Sequence, residues 1–340
     1  MPIQTVLGSI EPSELGRTSM HEHVLIDARV WYTPPDEPGP EDGVIRLENH
    51  GFHRWNLVGN PNNLVIDDTT AAVEELTPVN EAGGSGVVDL SNVGLGRDVS
   101  KLPEISRRSG VHIIPATGCY IHDSHPAWVQ DATEGELTDS FVRDLTAGMD
   151  GTDIRAALLG EIGTTDPVTN RERKVLAAAA QAAVQTGAAV SVHLDPVGTR
   201  GVEVFEFLTA HGMSADRIVL GHVDEHLDAA YHREMLATGA TIAFDTFGSD
   251  YNFGTFKDPA DDQRLAFLLP LLRDGLHEHI VLGCDVFTKI HLRRYGGFGY
   301  DHLLRRIVPL LIGEGVSDDA LDAMLVRNPR RILDRLDVAF

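Results

Sequence analysis

The sequence predicts an α/β chain folded as a single-domain (β/α)8 TIM barrel, with one long loop after the first strand. Three observations carry this. Eight short, β-branched, apolar runs alternate with longer amphipathic ones. The short runs are continuously apolar rather than alternating, as parallel strands covered on both faces require. The chain has 340 residues, and a barrel of this kind takes about 250 or more.

In chain order, the strands are expected at 18–26, 86–90, 112–117, 156–160, 188–192, 217–220, 241–244 and 279–283. Amphipathic segments at 69–82, 136–149, 171–186, 201–211 and 262–273 supply helices between them. Gly84, Gly110, Gly187 and Gly239 stand where a glycine closes a helix before the next strand. No GxGxxG or P-loop follows the first strand, which weakens a nucleotide-binding reading. The segment 29–66 breaks the rhythm. A loop of that length serves as a lid or an oligomer contact, or packs aromatic anchors such as Phe52 and Trp55 on the barrel.

Net charge is −23, which argues against nucleic-acid partners and anionic membranes. Cys119 and Cys284 are the only cysteines, too few for a disulfide scaffold or a thiolate metal site. The opening residues show neither a basic nor an apolar leader, and no apolar run approaches the roughly 18 residues of a membrane span. A cytoplasmic protein with a small-molecule substrate is the expectation.

The strand ends carry the chemistry. His21 and His23, separated by one residue near the end of the first strand, point to one side. Glu161 follows the fourth strand, His193 the fifth, His222 the sixth and Asp285 the eighth. Barrel enzymes build their sites at these carboxyl ends. Singly, each residue has an ordinary use as a cap or a hydrogen-bonding group. Six nitrogen and oxygen donors at one mouth suit two divalent ions, zinc first, with manganese, cobalt or iron also compatible. One glutamate can span two ions, and such a pair lowers the pKa of a shared water.

The chain also resembles the phosphotriesterase-like family of the amidohydrolase superfamily, nearly end to end. The matching pieces are Val6-Leu7-Gly8, Gly16-Arg17-Thr18-Ser19-Met20-His21-Glu22-His23 and Gly83-Gly84. They continue with Thr117-Gly118-Cys119-Tyr120, Gly160-Glu161-Ile162-Gly163-Thr164, Val192-His193, Leu220-Gly221-His222 and Cys284-Asp285. Arg327-Asn328-Pro329-Arg330-Arg331 resembles the closing motif. The resemblance implies one metal on His21, His23 and Asp285, another on His193 and His222, and Glu161 bridging where many members carry a carbamylated lysine. It implies a lactonase, with Asp285 as general base turned acid. Tyr120, at the end of the third strand, donates to the substrate oxygen or else packs at the rim against the lid. Asp224 is then a partner that orients a ligand imidazole or a water, or else caps the next helix. The pesticide-hydrolysing members carry a histidine after strand 7, whereas this chain reads Phe244-Asp245-Thr246.

After the eighth strand, Lys289, Arg293 and Arg294 place three cations within six residues of an acidic chain. Arginine suits bidentate recognition of carboxylate or phosphate. These residues therefore suggest a small anionic or polyhydroxylated lactone, unless they pair with nearby acids. Alternatives are a phosphotriesterase, an amide or ester hydrolase of the superfamily, and a non-catalytic binding protein. The last would show an eroded ligand set, and none of the six donors is missing. A homodimer is the expected assembly, since similar proteins often form one.

Overall fold

The computed structural model describes residues 2–335. Eight strands form one parallel sheet in sequence order: β1 Thr18–Glu22, β2 Gly86–Asp89, β3 His112–Thr117, β4 Leu158–Gly163, β5 Val190–His193, β6 Ile218–Leu220, β7 Thr241–Phe244 and β8 Ile280–Leu282. The sheet rolls into a nearly closed barrel. At the seam the Asp285 amide donates to the His21 carbonyl at 3.1 Å. The buried Glu22 carboxylate accepts from the Cys284 and Val286 amides at 3.2 and 3.1 Å, tying β1 to the end of β8. The side chain between the two motif histidines thus holds the barrel shut.

Period-two alternation sorts the strand residues into two cores. Val88, Ile114, Leu158 and Val219 form an inner cluster, while their neighbours Val87, Ile113, Leu159 and Leu220 pack with the helices. Burying each such side chain contributes about 1.5–3 kcal/mol. The longer helices are α1 Thr69–Glu81, α2 Leu102–Ser109, α3 Glu134–Thr146, α4 Asn170–Thr186, α5 Gly201–Ala210, α6 Ala229–Ala237 and α7 Asp261–Arg273, and a helical stretch at 303–313 follows β8. α4 shows why such segments start and stop where they do. Thr169 and Glu172 cap it reciprocally, its alanines are buried, and it ends on Gly187 at φ +71°. α2 and α6 escaped the sequence reading, since α2 is short, opens on Leu-Pro and is mostly polar.

Several boundaries differ from expectation by a residue or more; β5, for one, starts two residues late and includes His193. β1 ends at Glu22, and Ile26–Asp27 leaves the barrel to pair antiparallel with Val65–Ile66. The apolar run continues while its partner changes, which periodicity cannot see. β4 starts two residues later than expected and runs on to Gly163, so Glu161 lies within the strand. The Ile26–Asp27 pairing closes the 29–66 excursion at its base. Leu57 and Leu64 from the excursion are fully buried in the core, while Trp55 stays 61% exposed. Among the described residues no helix is long and apolar enough to cross a membrane.

Candidate metal centre

Glu161 stands at the middle of the carboxyl mouth with four imidazoles around it. Its Oε2 lies 3.5 Å from His21 Nε2, 3.2 Å from His193 Nδ1 and 3.3 Å from His222 Nε2. Its Oε1 lies 3.4 Å from His23 Nε2. Asp285 Oδ1 sits 3.2 Å from His23 Nε2 and 3.7 Å from His21 Nε2. The donors therefore fall into two adjoining groups, His21–His23–Asp285 and Glu161–His193–His222. Both groups could hold an ion, with Glu161 between them.

The rings are pinned from behind. Asp245 faces His21 Nδ1 at 2.8 Å and His222 Nδ1 at 3.2 Å, and accepts from the His222 amide at 2.9 Å. Ser91 Oγ lies 3.1 Å from His23 Nδ1. The nitrogens left facing the centre are Nε2 of His21, His23 and His222. His222 and Asp285 take φ +55° and +47°, a left-handed backbone that costs a residue with a Cβ about 1–2 kcal/mol. The surrounding contacts hold that strain where it aims the donors.

Charge follows the same logic. Burial opposes ionisation of Glu161, but His21, His193 and His222 hold its pKa well below the usual carboxylate range. Burial likewise opposes charge on Asp245 and Asp285, and the histidines again outweigh it. On His21 burial disfavours the proton, yet Asp245, Glu161 and Asp285 push the pKa up to about 10. For His23 the same contest ends at about 9. The site is built to hold positive charge.

The geometry favours metal ions as that charge. Ligands of a tetrahedral ion at bonds of about 2.0–2.1 Å lie roughly 3.3 Å apart. The donor pairs here are separated by 3.2 to 3.7 Å, all longer than charge-assisted hydrogen bonds of about 2.7–2.9 Å. His21 Nε2 is buried without a hydrogen-bond partner. These residues fit a pair of divalent ions.

Beside this centre a cavity opens, walled by Ile26, Trp31, Leu95, Phe253, Phe256 and Phe287. Tyr120 and Glu225 add polar groups to its lining. Glu225 owes a raised pKa first to burial and then to Asp258.

All six expected donors and Tyr120 thus meet at one place. The three basic residues do not join them. None lines the cavity. Arg293 pairs with Asp301 at 3.2 Å and Arg294 approaches Asp68 at 3.8 Å, both outside the mouth. Lys289 sits in a short turn whose amide donates to the Asn63 carbonyl at 2.8 Å. Asp224 touches no ligand imidazole. It accepts the Asp245 and Thr246 amides at 3.2 and 3.1 Å and pairs with the fully buried Arg264 at 3.1 Å, so its hydrogen bonds reach the histidines only through Asp245. Sequence reasoning missed Asp245 itself. Its signal was present as an acid directly after the seventh strand, at the carboxyl mouth.

A parallel barrel with a buried histidine–carboxylate centre at its carboxyl mouth defines a class of metal-dependent hydrolases. The phosphotriesterase family profile matches residues 1–333, and the chain belongs to that family. It is similar to the N-acetyltaurine hydrolase of Danio rerio, 34% identical with 97% of each chain covered. Among solved structures it resembles a resiniferatoxin-binding protein from Rhodobacter sphaeroides, with a TM-score of 0.94 and 34% identity over 98% of this chain and 95% of that one. A variant of a PTE-like lactonase from Deinococcus radiodurans superposes with a TM-score of 0.78 and 27% identity over 98% and 100% of the two chains.

Proposed function

We propose that the protein hydrolyses a carboxylic acid derivative, a lactone or a small N-acyl amide, at a binuclear metal centre held by His21, His23, Glu161, His193, His222 and Asp285. The observation that carries this reading is the spacing of those donors beside an apolar cavity. Bound there, two divalent ions, zinc above all, supply an activated water and polarise the substrate carbonyl.

The residues of the chain do the rest. Asp285 lines the cavity and is held as a carboxylate at neutral pH by His21 and His23 against the cost of burial. It takes the proton of the attacking water and returns it to the departing oxygen or nitrogen. Tyr120 stays protonated, because burial and then Glu161 raise its pKa, and it donates to the reacting oxygen. The aromatic wall of Phe253, Phe256 and Phe287 receives the acyl arm and keeps water out. With no lysine or arginine in the lining, the arm is uncharged, which replaces the anionic lactone suggested by Arg293 and Arg294.

The amide branch draws support from full-length relatives named N-acetyltaurine hydrolase, at 34% identity. The lactone branch draws support from the PTE-like lactonase, at 27%. Organophosphate hydrolysis is disfavoured by the absence of a histidine after β7, where the chain reads Phe244-Asp245-Thr246. Metal-loaded protein offered uncharged lactones, N-acyl amides and paraoxon tests the reading. Turnover of a lactone or an amide well above paraoxon is the expected result, and paraoxon as the best substrate contradicts it.

A further inference from the structure

We infer that Trp31, carried to the cavity by the segment after β1, aims the Tyr120 hydroxyl proton at the substrate's reacting oxygen. The inference rests on the proposed role of Tyr120 and gives the long excursion a part in the reaction.

Trp31 Nε1 lies 3.1 Å from the Tyr120 hydroxyl oxygen. An indole N–H only donates, so the tyrosine oxygen must accept there. The phenolic proton is thereby directed elsewhere. The nearest alternative acceptors are the two nitrogens of His193, at 3.3 and 3.4 Å. Near-equal distances put the hydroxyl beside the ring edge between them, off the lone-pair direction of either. His193 Nδ1 in any case faces Glu161 at 3.2 Å. What remains is the cavity, which Trp31, Tyr120 and His193 all line.

Trp31 has a fixed place from which to do this. It ends the short turn Arg29–Trp31, and its amide donates to the Ala28 carbonyl at 3.0 Å. The Ala28 amide in turn donates to the Leu64 carbonyl at 2.8 Å, at the far end of the excursion. The indole stands edge-on to Tyr120, with ring centroids 6.2 Å apart. Trp31 acts through Tyr120 and is a positioning residue.

The test uses the metal-loaded full chain, with Trp31→Phe, Tyr120→Phe and the double variant. The chain has three tryptophans, so the indole N–H resonance lost in Trp31→Phe is identified directly. That resonance is expected to shift in Tyr120→Phe. Kinetics on δ-valerolactone and 4-nitroacetanilide, both uncharged, complete the cycle. Losing one neutral hydrogen bond predicts about a tenfold fall in kcat for Trp31→Phe with KM little changed. The double variant should be no slower than Tyr120→Phe alone. An indole resonance indifferent to Tyr120→Phe, or additive losses in the double variant, overturns the inference. Wild-type kcat in Trp31→Phe, with Tyr120→Phe slowed, overturns it while leaving the role of Tyr120 standing. Wild-type kcat in Tyr120→Phe overturns both. If wild-type protein turns over neither probe, the proposed function is contradicted and the indole shift still decides the contact.

Discussion

The Asp245 carboxylate lies 2.8 Å from His21 Nδ1, behind the ring and away from the Nε2 that faces Glu161. Its other oxygen reaches His222. One carboxylate therefore sets the orientation of an imidazole in each of the two donor groups. Groups of this kind typically hold 10–100-fold in metal affinity. Asp245→Asn is expected to weaken metal binding by that order, read by titration with a competing chelator. Unchanged affinity would reduce Asp245 to a packing role.

Asp285 has two duties, as a metal ligand and as the group that moves the proton. Asp285→Asn keeps an oxygen donor but removes the base. With saturating metal, kcat should fall by about 10²–10⁴, with the remaining rate no longer dependent on a carboxylate. A variant that regains wild-type kcat once metal is saturating would show that Asp285 only binds the ion.

The basic residues after β8 lie outside the cavity lining. Lys289→Gln, Arg293→Gln and Arg294→Gln should leave kcat/KM unchanged on uncharged and anionic lactones alike. A loss confined to anionic substrates would restore these residues to substrate binding.

Two histidines outside the donor set bear on acid stability. His53 is fully buried with neither ring nitrogen hydrogen-bonded, and burial brings its pKa down to about 4. Burial brings His291 down to about 3. Both values lie below the unfolded value of about 6.5, so below that pH the unfolded chain takes up protons the folded chain refuses. The stability concerned is complete above pH 6.5 and is lost as pH falls toward 4 for His53 and 3 for His291. The loss is about 1.4 kcal/mol per pH unit for each group. Urea midpoints between pH 7 and 4.5 should fall accordingly, and His53→Phe should flatten the slope. An equal slope in that variant would contradict the assignment.

The barrel and its donors were legible because each strand is an apolar run, and because the donors sit at the runs' carboxyl ends. His21, His23, Glu161, His193, His222 and Asp285 needed only strand order to be brought together. What stayed hidden depends on partners distant in sequence. Asp245 acts through two rings on other strands. Glu22 closes a seam with residues 262 and 264 positions away. Trp31 matters because a loop returns it to the mouth. Arg293 and Arg294 pair with Asp301 and Asp68 rather than lining the cavity, which their place in the sequence does not reveal.

The central claim is that the donor cluster is a two-metal centre that drives hydrolysis. It is tested most directly by counting metal per chain in gently purified protein and following activity as the metal is stripped and restored. The account predicts about two ions per chain, with lactone or amide turnover lost on chelation and regained on adding zinc. Protein that binds no metal when supplied with it, or that hydrolyses its substrate equally well without it, would contradict the account.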